Sequence, residues 1–569
     1  MTYDEKPWLA SYDPNVPATV SIPKDKTFVD YLEEGFAALP NAPAVHYMGR
    51  AISFRELSAL SLRFADFLNK SGFGPGDVVA IHLPNLPQYL IALTGSLRAG
   101  LATSGVSILL TPKELKHQLN DSGAKVLVTL DFMFRDKLVP VHKEIPDLEK
   151  VVVAGVGDFL PPIKRVLGKL LKKIPTGPVF SLPEKEVLSF NRVMAENKPV
   201  KPKVAPKPED PGLIQYTGGT TGLPKGVVLT HANLVANTEQ IRAWADFKMG
   251  GEVFCSGFPF FHQAGQAFGL AAMGTANAQC LIPDPRNTDH IIKEIRTKRA
   301  TVVAMVPTLY HMLMDNPRWK NLDFSPVRVL ISGAAPFSQE GIREMEEHTG
   351  PGKVLEVYGM TETTPIITAN PYLGKKKIGS VGLPVPNTKV RIMDVETGTR
   401  EMPIGEEGEL AVCGPQVMAR YHGKPAETAH AVREIDGERW LFTGDVARMD
   451  EEGYIYIVDR AKDMLNVGGY KVFSREVEEG LYKHPAIAFC AIVGEENPDR
   501  PGSEIVKAVI QLSDEGKLKD KADLEEDIRN FCRQNMAPYK VPKIISFVDA
   551  IPLTAVGKVD KKMLRAPKK

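Results

Sequence analysis

Short apolar runs alternate with longer stretches of helical period along most of this chain. VVAIHL (78–83), KVLVTL (125–130), VVVA (151–154), TVVAMV (301–306) and VRVLIS (327–332) are continuous apolar runs of strand length. Runs of that kind suit strands covered on both faces, as parallel sheets are. Between them lie helical patterns such as FRELSALSLRFADFLNKSG, opened by Ser53 and closed by Gly72, and PKELKHQLNDSG. Ser before a periodic run and Gly after it are helix start and stop signals. The alternation predicts an α/β architecture with largely parallel sheets.

The pattern changes texture twice. Residues 198–211, KPVKPKVAPKPEDP, are rich in Pro and Lys and predict an extended connector. Near 459–463 a Gly- and Asp-punctuated, β-rich stretch (TKVRIMD, GELAVCG, YIYIVD) gives way to two helical patterns, EVEEGLYKHP and ADLEEDIRNFCRQN, and the strand patterns AFCAIVG and KAVIQL. That change reads as a small α+β domain joined to a large one by a short hinge. A chain of 569 residues also exceeds what one hydrophobic core sustains.

One helical pattern stands apart. In FLPPIKRVLGKLLKKIP (159–175), Ile163, Val166, Leu167, Leu170, Leu171 and Ile174 form one apolar stripe, and Lys164, Arg165, Lys169, Lys172 and Lys173 fall off it. Pro161 and Pro162 suit the start and Pro175 the stop. Burying each aliphatic side chain gives ~1.5–3 kcal/mol, and ordering costs about 1–2 kcal/mol per residue. Basic side chains near anionic lipid add roughly 1 kcal/mol each. The terms nearly cancel, which fits reversible peripheral contact with the inner face of a membrane. A helix lying on the protein's own surface with a solvated basic face is the alternative.

Charge and composition change the picture little. Lys and Arg (70) balance Asp and Glu (69), so no global field points to nucleic acid. Cys255, Cys280, Cys413, Cys490 and Cys532 are scattered, form no CxxC pair, and fit small buried hydrophobes in a reducing, cytoplasmic setting. The first residues, MTYDEKPWLASYDP, lack the apolar core of a secretory signal. The longest apolar stretch, 90–110, is broken by Arg98 and Gly100 before it reaches the roughly 18 residues a membrane span requires. Nothing in the pattern specifies an oligomeric state.

The chemistry begins at LIQYTGGTTGLPKGVVLTH (213–231). Thr217, Gly218, Gly219, Thr220, Thr221 and Gly222 precede Lys225. Glycines let backbone N–H groups approach an anion, hydroxyls add donors, and the lysine adds a mobile charge. A Walker loop is excluded, because Lys225 is followed by Gly226, preceded by Pro224, and leads into the strand pattern GVVLT instead of a helix.

TGGTTGLPKG resembles the signature loop of the AMP-forming adenylating superfamily: acyl-CoA synthetases, aryl-CoA ligases, luciferases and peptide-synthetase adenylation domains. The other motifs of that family follow in order. The resemblance implies that Thr217, Gly218, Gly219, Thr220, Thr221, Gly222 and Lys225 grip the β- and γ-phosphates of ATP. In FPFFHQAG (258–265), which resembles the segment lining the acyl pocket and pantetheine tunnel, His262 takes a gating place beside the carboxylate. SGAAP (332–336) lays Gly333, Ala334 and Ala335 along the adenine. VYGMTETTP (357–365) implies Tyr358 stacked on adenine, Thr361 at the α-phosphate and Glu362 on Mg²⁺. Asp445 in FTGDVA takes the ribose hydroxyls, and Arg460 in IVDRAKD contacts ribose and phosphate. Lys462 is the hinge residue, Gly468 and Gly469 in NVGGYKV lie beside the CoA arm, and Lys558 in PLTAVGKVDKKML reaches into the site for adenylation.

By this resemblance residues 1–461 form the AMP-binding domain and 462–569 a mobile C-terminal domain. The implied reaction joins a medium- to long-chain fatty acid to coenzyme A, with ATP cleaved to AMP and pyrophosphate through an acyl-adenylate. The amphipathic stretch and the FPFF variant look like the long-chain fatty-acid branch. An aromatic acid is the alternative substrate, and a catalytically silent nucleotide-binding protein is the alternative class.

Overall fold

The structure is a computed structural model that describes residues 2–217, 224–460, 463–467, 470–498, 500, 503–554 and 559–565, without the side chains of Lys169 and Lys471. Two large sheets form its frame. In the nine-stranded sheet the central strands Val253–Ser256, Val302–Met305, Val329–Ser332 and Val354–Gly359 run parallel. In the eight-stranded sheet Ala102–Gly105, Val78–His82, Ala124–Leu130 and Lys150–Ala154 run parallel in that order. The five apolar runs read from the sequence are all strands, and the α/β class with parallel-rich sheets holds.

Helices cover these sheets where the periodicity placed them. Ser53 accepts a hydrogen bond from the Glu56 N–H and opens Phe54–Lys70. Thr111 and Glu114 cap the helix Pro112–Ser122 reciprocally, and Gly123 closes it in the left-handed region. The helix Pro87–Arg98 is buried on every side. Its Gly95 has no space for a side chain, since a Cβ there would lie 2.7 Å from the Ser61 carbonyl oxygen on Phe54–Lys70.

Residues 198–210 make no regular element before the strand Pro211–Thr217, as the connector composition predicts. The β-rich region is a five-stranded sheet that includes Gly408–Cys413, Glu438–Met449 and Ile455–Arg460. Beyond it lies the small C-terminal domain. Ile487–Glu496, Glu504–Leu512 and Ile544–Val548 form a three-stranded sheet, with helices Ser474–Leu481 and Lys521–Asn535 packed on it around a separate core.

The amphipathic stretch departs from its sequence reading in two ways. The helix spans Pro162–Leu170 and stops before Pro175 is reached, because Lys172 takes a left-handed φ of 53°. Ile174 therefore leaves the stripe and turns back against Gly157 and Gly168. Among the described residues no helix is long and apolar enough to cross a membrane. Cys255, Cys280, Cys490 and Cys532 are buried, and Cys413 is half-buried.

Candidate functional site

The strands Pro211–Thr217 and Lys225–Thr230 pair antiparallel, with Thr217 opposite Lys225, so the Gly-Thr segment does lead into a strand. Gly218, Gly219, Thr220, Thr221 and Gly222 lie outside the described residues. The Lys225 ammonium pairs with the Glu427 carboxylate and sits 5.0 Å from the Tyr421 ring centre. Tyr421 belongs to the two-residue edge strand Arg420–Tyr421, which pairs with Lys225–Thr230. Its hydroxyl donates to Glu362 Oε1 at 2.8 Å.

Glu362 stands in the short turn Thr361–Thr363, directly after the strand Val354–Gly359. Gly359 makes that turn possible. A Cβ there would fall 1.8 Å from the Pro365 carbonyl oxygen, so the returning chain can lie against the strand end only if the residue is glycine. Thr361 and Glu362 are both buried. Burial raises the Glu362 pKa above its ordinary value, and the Tyr421 hydroxyl pulls it part of the way back.

A second cluster involves the five-stranded sheet. Asp445 on Glu438–Met449 faces Arg460 on Ile455–Arg460 in antiparallel register. That register sets the Arg460 Nε 3.2 Å from Asp445 Oδ1, while the Tyr358 hydroxyl donates to Asp445 Oδ2 at 2.6 Å. Burial first, and then the Asp445 charge, raises the Tyr358 phenol well above its ordinary pKa. The same carboxylate raises Arg460 and keeps it cationic.

Gly333, Ala334 and Ala335 follow the strand Val329–Ser332, the parallel neighbour of Val354–Gly359. A Cβ on Gly333 would stand 2.8 Å from Val357 Cγ2, and Ala334 takes a φ of 66°. Three sheets thus meet here, at the carboxyl end of parallel strands where α/β folds bind ligands. The nine-stranded sheet brings Tyr358 and Glu362, the eight-stranded sheet brings Thr217, Lys225 and Tyr421, and the five-stranded sheet brings Asp445 and Arg460.

The 258–265 segment borders the same end. Asn85 donates from Nδ2 to the Phe258 carbonyl at 2.9 Å and accepts from the Phe260 N–H at 2.7 Å. The Tyr89 hydroxyl donates to the Phe260 carbonyl at 2.7 Å. A narrow cavity lies beside this segment, lined by Phe254, Phe260, Phe268, Asn85 and Gln279. His262 caps the helix Gln263–Gly274, its Nδ1 accepting from the Ala264 N–H at 3.3 Å.

Lys462, Gly468, Gly469 and Lys558 lie outside the described residues. The strands flanking 468–469, Leu465–Val467 and Tyr470–Val472, pair antiparallel. Asp459 receives the Ser474 hydroxyl at 2.8 Å, and Arg475 Nη1 donates to the Ile457 carbonyl at 2.8 Å. The first helix of the small domain is thereby tied to the last strand before 461–462.

Among the described residues no group of three or more His, Cys, Asp or Glu is arranged to hold a metal. Glu362, a single buried carboxylate, still suits a hard cation that takes its other ligands from phosphate and water, as Mg²⁺ does. Sequence reading missed Tyr421, Glu427, Asn85 and Tyr89. Tyr421 lies in a strand too short to show a period, and Asn85 acts on backbone 173 residues away.

Comparison with known proteins identifies the family. The AMP-binding enzyme family matches residues 32–422, and the AMP-binding enzyme C-terminal domain matches residues 476–558. The chain is 39% identical to a long-chain-fatty-acid–CoA ligase of Bacillus subtilis (strain 168), over 98% of each chain. It is 36% identical to a long-chain-fatty-acid–CoA ligase of Escherichia coli O6:H1, over 99% of this chain and 98% of that one. The crystal structure of the anthranilate CoA ligase AuaEII in complex with anthranoyl-AMP superposes with a TM-score of 0.82 at 25% identity, covering 96% of this chain and 97% of that one. With the fold, the order of the motifs and both matched regions in agreement, this chain belongs to the AMP-binding enzyme family.

Proposed function

We propose that the protein is an ATP-dependent acyl-CoA synthetase acting on medium- to long-chain fatty acids. The observation that carries this reading is the meeting of Tyr358, Asp445 and Arg460 with Glu362, Tyr421 and Lys225 where three sheets join. Such a site presents a carboxylate for ribose hydroxyls, cations for phosphate and a buried carboxylate for a metal. The substrate class rests on the long-chain-fatty-acid–CoA ligases to which the chain is similar along nearly its whole length and on the aromatic segment that Asn85 and Tyr89 hold.

In the proposed first step a carboxylate oxygen of the acid bonds to the α-phosphorus of ATP. The bond from that phosphorus to the β-phosphate bridge breaks, pyrophosphate leaves, and an acyl-adenylate remains. Two anions must be brought together, so positive charge and geometry do more here than a strong nucleophile. Lys225 and the 217–222 segment hold the β- and γ-phosphates, and Thr361 and Lys558 attend the α-phosphate. Tyr358 and 333–335 embrace the adenine, Asp445 and Arg460 fix the ribose, and His262 gates the carboxylate. Glu362 would hold Mg²⁺, which neutralises phosphate charge when bound.

In the second step the CoA sulfur attacks the acyl carbonyl, AMP leaves, and the thiol proton passes to solvent. Residues 1–461 and 462–569 are the two proposed bodies. Rotation about Lys462 withdraws Lys558 and presents Gly468 and Gly469 to the CoA arm. The proposal includes reversible contact of 159–175 with a membrane surface, because long-chain acids partition into bilayers.

Pyrophosphate–ATP exchange tests the first step. Exchange should require an added fatty acid, and complete turnover with CoA should release AMP. Exchange without acid, or ADP as the product, would remove adenylation from the account and favour another ATPase, and no turnover with any acid would favour a silent nucleotide-binding protein.

A further inference from the structure

The helix Pro162–Leu170 turns its apolar stripe away from the protein. Ile163 is 75% exposed, Val166 56%, Leu167 50% and Leu170 74%, and Leu171 just beyond the helix is 62% exposed. Isolated exposed aliphatics are normal on a protein surface, but five along one stripe are a contiguous patch of the kind that marks an interaction site. The alternative left open by the sequence, a helix lying apolar side down on its own protein, does not fit these exposures.

The root of this helix is firmly held. The Tyr47 hydroxyl donates to the Val156 carbonyl at 3.0 Å, and Gln88 Nε2 donates to the Gly155 carbonyl at 2.9 Å. The Arg50 guanidinium lies 5.3 Å from the Phe159 ring centre. Lys164, one of the basic residues, is exposed but reaches across the surface and donates to the Met48 carbonyl at 2.7 Å. Lys164 is therefore a strut. Arg165, Lys172 and Lys173 stay exposed beside the stripe, and residues 162–174 contain no acidic side chain. Gln88 and Tyr89 are adjacent, so one helix start holds both the root of this patch and the 258–260 backbone.

We propose that this face docks on an anionic lipid bilayer. The inference deepens the membrane contact of the proposed function and names its partner and its residues. Ile163, Val166, Leu167, Leu170 and Leu171 enter the boundary between headgroups and acyl chains, while Arg165, Lys172 and Lys173 meet lipid phosphates. Charge decides for lipid over a second copy of the chain, because self-association through this patch would set basic residues against basic residues.

Co-sedimentation of the full-length protein with vesicles tests the proposal, using phosphatidylcholine alone and phosphatidylcholine mixed with phosphatidylglycerol. The wild type should sediment with the mixed vesicles, more weakly as salt is raised. Leu167→Asp combined with Leu170→Asp should cut that partition about tenfold or more. Lys172→Glu combined with Lys173→Glu should remove the preference for anionic vesicles. These side chains are exposed, so unchanged melting and unchanged acyl-CoA formation from octanoate, a water-soluble medium-chain acid, should show both variants folded. Equal sedimentation of wild type and Leu167→Asp/Leu170→Asp, or no sedimentation of wild type, overturns docking. Self-association of the wild type that the same variants abolish assigns the face to a second copy and overturns it too. Vesicle binding is read without substrates, so a failure of acyl-CoA synthesis would count against the activity and leave the docking result standing.

Discussion

Asp445 has one carboxylate and two partners, the Tyr358 hydroxyl and the Arg460 guanidinium. Both oxygens are thus oriented before any nucleotide arrives, and a proposed ribose would meet a carboxylate already fixed in place. Asp445→Asn keeps the shape but loses the charge that raises Arg460. Hydrogen bonds to charged groups contribute about 1.5–3 kcal/mol, so the variant should raise KM for ATP roughly ten- to hundredfold. KM for the acid should move little. Steady-state kinetics with each substrate varied in turn will show it, and an unchanged KM for ATP would take Asp445 out of nucleotide binding.

Among the elements, the turn Thr361–Thr363 depends on a glycine before it. Gly359→Ala would force a Cβ onto the Pro365 carbonyl oxygen and push the returning chain off the strand end. Overpacking of this kind costs about 1–3 kcal/mol. Denaturant unfolding should register that loss, and ATP affinity should fall with it because Glu362 rides on the turn. A variant with wild-type stability and affinity would show that the turn can move freely. Local signals were legible in the sequence at this scale. Ser53 caps the helix it precedes, and the apolar runs are strands. What could not be read was long-range. Asn85 and Tyr89 act on a backbone segment far along the chain, and the edge strand carrying Tyr421 has no periodicity of its own. The helix Pro162–Leu170 was legible as amphipathic, but its end was not, since neither the left-handed φ at Lys172 nor the return of Ile174 onto Gly157 and Gly168 leaves a mark in the periodicity.

For the whole molecule, three sheets supply one site and a small domain with its own core follows the last of them. That division suits two reactions in one place, since a second body can bring different groups to the same ligand. On the proposed roles, Lys558→Ala should lower adenylation at least about a hundredfold yet leave thioester formation from supplied acyl-AMP near wild type, a loss of about 2.7 kcal/mol or more of transition-state stabilisation. Single-turnover assays of each half-reaction separate the two, and equal loss in both would contradict the exchange of faces. The most direct measurement gives the enzyme ATP and CoA with acids from acetate to oleate, plus benzoate and coumarate, and counts AMP against acyl-CoA. One AMP per acyl-CoA and the highest kcat/KM on medium- to long-chain fatty acids are expected; peak activity on the aromatic acids, or acyl-CoA formed without AMP, would overturn the proposed function.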